Sequence, residues 1–149
     1  MTTRTARIPY FQLAPKAFQN LLALSNSLRK DLLGPRLVEL VLLRLSQING
    51  CAYCMDMHWR ELIKQDMAPR EINALAGWRE APFFTDRERA ALRWAELVNA
   101  LPAGDASDEE FAALRAHFSD EEIAELGFVI VTIRAWNSLN ASLRHPMPA

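Results

Sequence analysis

The sequence predicts an all-helical fold, and three observations carry that expectation. Apolar residues recur at helical spacing almost throughout. No run combines strict alternation with enrichment in valine, isoleucine and threonine. Three S/T-x-x-E capping boxes, Thr85 with Glu88, Ser107 with Glu110 and Ser119 with Glu122, mark helix starts. In each, the hydroxyl and the carboxylate can satisfy backbone donors that the first helical turn leaves unpaired.

Taken in order, residues 1–14, with Pro9 and Pro15, read as an extended arm that lies on the body or reaches a neighbouring subunit. Residues 15–149 read as one domain. A helix is expected over 15–30. Pro35 suits a first helical position, because it lacks only a donor that would be unpaired there, and it opens a helix over 35–49. Gly50 can supply the left-handed residue that ends that helix, so the next runs over 51–66 and forms an antiparallel pair with it. Pro69 opens a helix over 69–78, and the capping boxes open helices over 86–101, 108–117 and a long C-terminal one over 120–144. "ALPAGDASDEE" is an exposed connection within the domain. "LVELVLLRLSQI" and "IAELGFVIVTIRAW" are apolar around much of their circumference. Such a helix is buried on more than one side, either at a subunit interface or at the centre of its own chain. A homo-oligomer is the expectation.

At 149 residues the chain suffices for one hydrophobic core, and a composition of 50% hydrophobic and 23% charged residues argues against disorder. A formal net charge of -1, with dispersed basic residues, offers no footprint for nucleic acid or an anionic membrane surface. "MTTRTARIPYFQLAPKAF" lacks the apolar core of a secretory signal, and "LGFVIVTI" is too short to span a bilayer. A cytoplasmic location is expected. There a lone C-x-x-C points to catalysis, redox sensing or metal binding more than to a static disulfide.

That pair sits in "INGCAYCMDMHWRELIK". Cys51 and Cys54 fall in the first turn of the helix after Gly50, where the positive end of the helix dipole favours thiolate over thiol. Cys51 and Cys54 are i, i+3 and Cys54 and His58 are i, i+4, so the three side chains share one stripe. His58 can take a proton from Cys54 directly or through one water. Glu39 interrupts the apolar "LVELVLLRL" and needs a partner if buried. Counted back from Gly50, Glu39 lies roughly 16 Å down one helix and His58 about 12 Å down the next, so the two can meet. Two small core thiols, or a zinc site of two thiolates and an imidazole, are the other readings of the pair. Met55 after Cys54 excludes a c-type haem attachment. Met55, Met57, Trp59 and Trp136 read as core or pocket lining. His117 and His145 have no comparable constellation and receive no role.

The spacing of Glu39, Cys51, Cys54 and His58 resembles the active-site motif of the AhpD-like alkylhydroperoxidases, within the carboxymuconolactone decarboxylase superfamily. "TDRERAALRWAELV" and "IRAWNSLNASL" are similar to later helices of that superfamily. The resemblance implies a compact all-α domain, assembled as a trimer or hexamer, whose active site lies at the junction of an antiparallel helix pair. It implies a peroxidase or disulfide oxidoreductase without metal or organic cofactor. In it Cys54 is peroxidatic, Cys51 is resolving, and Glu39 and His58 form the proton relay. A lipoyl or thioredoxin-like dithiol would restore the pair. Tyr53 departs from the pattern, standing where AhpD has a histidine; its phenol is a poor base but retains a hydroxyl able to donate a hydrogen bond. The competing readings are a lactone decarboxylase or isomerase using Glu39 and His58 alone, and a non-enzymatic thiol sensor.

Overall fold

Helix α4 is the axis around which the chain is arranged. The computed structural model describes residues 5–147, so residues 1–4 of the expected arm and 148–149 of the domain lie outside it. The elements are α1 (Tyr10–Leu13), α2 (Pro15–Ser27), α3 (Lys30–Leu33), α4 (Pro35–Ile48), α5 (Ala52–Lys64), α6 (Pro69–Asn73) with a 3-10 turn Ala74–Gly77, α7 (Asp86–Asn99), α8 (Asp108–Arg115) and α9 (Asp120–Leu143). Among the described residues there is no strand. None of their helices is long and apolar enough to cross a membrane.

The two over-apolar helices resolve differently. In α4 every residue from Leu37 to Leu43 is buried, with Leu45 and Ser46, because α5, α7 and α9 pack around it. It is a central helix of its own chain. Helix α9 turns Leu126, Val129, Ile130 and Ile133 inward but leaves Phe128 and Val131 55% and 49% exposed. At one end of this core, Asn49 Nδ2 donates to Asn99 Oδ1 and Asn137 Oδ1, both at 3.0 Å. Asn137 Nδ2 in turn donates to Ser46 Oγ at 3.1 Å, so the ends of α4 and α7 are tied to α9 by satisfied polar groups.

Local signals set most boundaries. Pro35 and Pro69 each occupy the start of a helix. Gly50, at φ 69°, makes the turn that lays α5 antiparallel to α4. The capping boxes at Thr85 and Ser119 are complete. The third is half formed: the Ser107 hydroxyl accepts from Glu110 N–H at 3.3 Å, but the Glu110 carboxylate is taken by Arg93 on α7.

The helix expected over 15–30 stops at Ser27, because Leu28 is extended at ψ 128°. There the Arg29 N–H donates to the Glu125 carboxylate of α9 at 2.6 Å, and the Arg29 guanidinium pairs with Glu121. The helix expected over 69–78 shortens to α6 and tightens into the 3-10 turn. The arm lies on the body: Arg7 N–H donates to Leu143 O at 3.0 Å. It is not extended throughout, since Tyr10–Leu13 forms a helical turn.

Leu45 in α4 is fully buried whereas Leu13 in α1 is largely exposed. Leu45→Ala is expected to lower the free energy of urea unfolding by about 2–5 kcal/mol. Leu13→Ala should stay within about 0.5 kcal/mol of the parent. Comparable losses in the two would contradict a core organised on α4.

Candidate active site

The site is built on the turn between α4 and α5. Cys51 is the N-cap of α5, with extended backbone, and its sulfur accepts the Cys54 N–H at 3.3 Å. Cys54 is therefore in the first turn, in the field of the helix N-terminus. The two cysteines are joined as a disulfide with S–S 2.08 Å, and both are buried. One turn further along α5, His58 is buried as well.

Glu39, only 2% exposed, meets it from α4: Oε2 and His58 Nδ1 are 2.8 Å apart. The other carboxylate oxygen, Oε1, accepts from Lys30 Nζ at 2.7 Å. Arg36 and Arg44, the cations on the same helix as Glu39, are engaged elsewhere, Arg36 by Glu71 and Glu88 and Arg44 by Glu96. Burial pushes the Glu39 carboxyl upward. The hydrogen bonds and charges of His58 and Lys30 outweigh that effect and hold it below the ordinary carboxylate range. An ionised carboxylate can only accept, so His58 Nδ1 carries the proton of this bond and Nε2 of the neutral ring is the basic nitrogen.

Among the described residues, that buried Nε2 has no hydrogen-bond partner. It is therefore not bonded to the Cys54 sulfur while the disulfide is closed, and the direct form of the expected proton transfer is not made here. Both residues instead line one cavity of about 340 Å³. The cavity walls are apolar, with Phe18, Leu42, Met57, Ile133 and Trp136. Trp136 is held by its Nε1 donating to Ser25 Oγ at 2.7 Å. Thr132, 3% exposed, also lines the cavity, and its buried hydroxyl has no hydrogen-bond partner among the described residues. His58 and Thr132 are thus two residues of the cavity lining that each carry a buried polar atom with no partner among the described residues.

Of the residues singled out from the sequence, Glu39, His58, Cys54 and Cys51 are brought together as one constellation. Tyr53 lines the cavity but makes no side-chain hydrogen bond among the described residues; its ring packs edge-on against His145 at 4.4 Å. Met57 and Trp136 wall the cavity, while Met55 and Trp59 line a separate shallow depression. The zinc reading finds no assembled donor set. The two sulfurs are bonded to each other, and among the described residues no cluster of three or more His, Cys, Asp or Glu can hold a metal ion.

Four contributors escaped the sequence reading. Lys30 neutralises Glu39, and Thr132 and Asn140 enter from α9. His145, to which no role was assigned, lines the cavity beside Tyr10 and Tyr53. Burial pushes the His145 imidazole below its ordinary value, which favours the neutral ring. The available signal was the presence of polar residues within an apolar helix; nothing local announced Lys30 or His145.

The family model described as the carboxymuconolactone decarboxylase family matches residues 15–97, from α2 into α7 and including all four members of the constellation. Protein YdfG of Bacillus subtilis (strain 168) is 28% identical over 137 residues, covering 92% of this chain and 93% of that protein. YnjA of Escherichia coli (strain K12) is 30% identical over 102 residues, covering 68% of this chain and 56% of that protein. Both carry the description "uncharacterized". Among solved structures, ATU0492 of Agrobacterium tumefaciens superposes with a TM-score of 0.92 at 39% identity, over 97% of this chain and 99% of that one. It is a protein of unknown function proposed to be an antioxidant defence protein AhpD. The debrominase Bmp8 shares the fold, with a TM-score of 0.80 at 20% identity over 93% of this chain and 75% of that one.

A carboxyl held below its unfolded value contributes stability that is complete above the ordinary glutamate pKa of about 4.3 and is lost as pH falls through its folded value. Urea unfolding at a series of acid pH values should show the advantage of the parent over Glu39→Gln shrinking below that range. A difference independent of pH would contradict the ionised Glu39.

Proposed function

The chain belongs to the carboxymuconolactone decarboxylase family, and within it we propose that this protein is a thiol-dependent peroxidase that reduces hydroperoxides through Cys54 and Cys51. The observation that carries the reading is the buried Cys51–Cys54 disulfide beside a cavity that His58, bonded to Glu39, also lines.

In the reduced protein His58 Nε2 takes the Cys54 thiol proton, through one water or the substrate hydroxyl. The thiolate attacks the outer peroxide oxygen; an S–O bond forms as the O–O bond breaks. The departing alkoxide takes the proton from His58 and leaves as an alcohol, with Cys54 as a sulfenic acid. The Cys51 thiol then attacks the Cys54 sulfur, the S–S bond forms, and the hydroxyl leaves with the Cys51 proton as water. An external dithiol returns two electrons and two protons by thiol–disulfide exchange and becomes a disulfide itself.

Glu39 holds the His58 tautomer and stabilises the imidazolium formed in the first step. Thr132, which lines the same cavity, can offer its hydroxyl to the alkoxide. Because both sulfurs are buried, a slender lipoyl-type dithiol reaches them more readily than a folded thioredoxin-like surface. The reading places the protein where dithiols are supplied, in the cytoplasm. The exposed Phe128 and Val131 on α9 support a homo-oligomer.

Peroxide consumption with excess dithiol, measured on the purified protein, should vanish in Cys54→Ser. Cys51→Ser should accumulate a single added oxygen by intact mass. Glu39→Gln and His58→Gln should each slow the oxidation step by about 10²–10⁴-fold. Turnover that survives loss of both cysteines would sink this reading in favour of acid–base chemistry on a lactone by Glu39 and His58. Oxidation without repeated turnover would instead identify a thiol sensor. Light scattering should give a mass that is a multiple of 16.9 kDa; a monomer across micromolar concentrations would remove the oligomer.

A further inference from the structure

Asn140 is in α9, beyond the segment matched by the family model, and is 7% exposed. Its Nδ2 donates to the Cys54 sulfur at 3.5 Å, and its Oδ1 accepts the Tyr10 hydroxyl at 2.7 Å. Among the described residues no other side chain donates to that sulfur. We propose that Asn140 is a catalytic residue that stabilises the Cys54 thiolate, and that Tyr10 is a positioning residue that keeps the amide nitrogen turned to the sulfur. The inference rests on Cys54 as the nucleophile.

A side-chain amide has two ends of opposite use here. The oxygen would repel a thiolate, whereas the nitrogen donates to it. The Tyr10 hydroxyl, by donating to Oδ1, leaves only Nδ2 for the sulfur. Burial raises the Tyr10 phenol above its ordinary value and Tyr53 adds to the effect, so the hydroxyl keeps its proton at neutral pH.

Tyr10 is itself held in place. Arg7 anchors the arm to the end of α9, through its N–H to Leu143 O and its guanidinium to Ser142 O, and Phe18 packs against the Tyr10 ring. The carbonyl of Asn140 accepts the His145 N–H at 2.9 Å, which fastens the C-terminal tail at the same place.

A disulfide sulfur is a weak acceptor and a thiolate a strong one, so the Nδ2 bond gains strength when the disulfide is reduced. That differential favours the charged form of Cys54 over its thiol. It adds to the helix N-terminus without calling on His58, whose Nε2 remains free for proton transfer. The titratable groups around Cys54 are Cys51, Tyr53 and His58 on its own segment, Glu39 on α4, Lys30 on α3, Tyr10 on α1 and His145 in the tail. From α9 the polar groups lining the cavity are the uncharged Asn140 and Thr132.

The chain contains two cysteines, so in a Cys51→Ser background only Cys54 titrates as a thiol. Its ultraviolet thiolate absorbance against pH gives the midpoint directly. Asn140→Leu should raise that midpoint by about one pH unit, Asn140→Asp should raise it as well, and Tyr10→Phe should raise it by less. In the two-cysteine protein, Asn140→Leu should oxidise about tenfold more slowly with peroxide near neutral pH, and raising the pH should restore the rate.

A midpoint unmoved in a folded Asn140→Leu overturns the proposal, as does a slower rate with no moved midpoint, which would mark a structural role. If Asn140→Leu does not fold, Tyr10→Phe decides, because it removes one oxygen from the partly buried arm; an unchanged midpoint there also overturns the proposal. Peroxide turnover surviving in Cys54→Ser would overturn the underlying peroxidase reading instead, a result distinct from any movement of the midpoint.

Discussion

A carboxylate inside an apolar helix is the constraint from which the rest of this structure follows. Glu39 stands in the most buried element of the chain, where an unpaired charge would be strongly unfavourable. It is compensated on both oxygens, by His58 from α5 and by Lys30 from α3. One side chain therefore ties together three consecutive elements. The helix break at Leu28 and the turn at Gly34, with φ 92°, are what bring Lys30 back over α4. The same bond decides the chemistry of His58: with Nδ1 committed to Glu39, its free nitrogen is the one left for the cavity.

The cysteines depend on a second local device. Gly50 adopts a left-handed conformation that turns the chain and presents Cys51 as the cap of the next helix. The sulfurs then lie at the positive end of α5, on the side that faces α9. Their surroundings come from the two ends of the chain. Tyr10 arrives on the N-terminal arm, and Arg144, left-handed at φ 55°, redirects the C-terminal tail so that His145 meets Tyr53. The arm and the tail meet at the end of α9, close to Asn140.

The α4–α5 pair and its four chemical residues were legible because they are local. Glu39 and His58 sit on either side of one tight turn, so counting helical rise from Gly50 is enough to bring them to the same level. The partners of Glu39 were only half legible. Lys30 lies in a stretch with good helical spacing, and the break before it is made by Glu125 and Glu121 of α9, far along the chain. Ser107 teaches the same lesson at a helix start: its box is half formed because Arg93 of α7 takes the Glu110 carboxylate. Thr132 and Asn140 could be seen as polar residues in an apolar helix, but not which neighbour they would face. His145 had no nearby companion at all, since Tyr10 and Tyr53 are distant in sequence.

By itself, then, the sequence determined most of the helix starts, the α4–α5 hairpin and the four residues, Glu39, Cys51, Cys54 and His58, that meet there. These rest on interactions among residues within a few turns of one another, which periodicity, prolines, glycines and capping pairs report directly. It also placed the long final helix. Only the tertiary structure decided that α4 is enclosed by its own chain, that Lys30 completes the Glu39 ion pair, and that Tyr10 and His145 line one cavity with Cys54. Those features depend on surfaces brought together from opposite ends of the chain, where side-chain shape and burial, rather than spacing, select the partner.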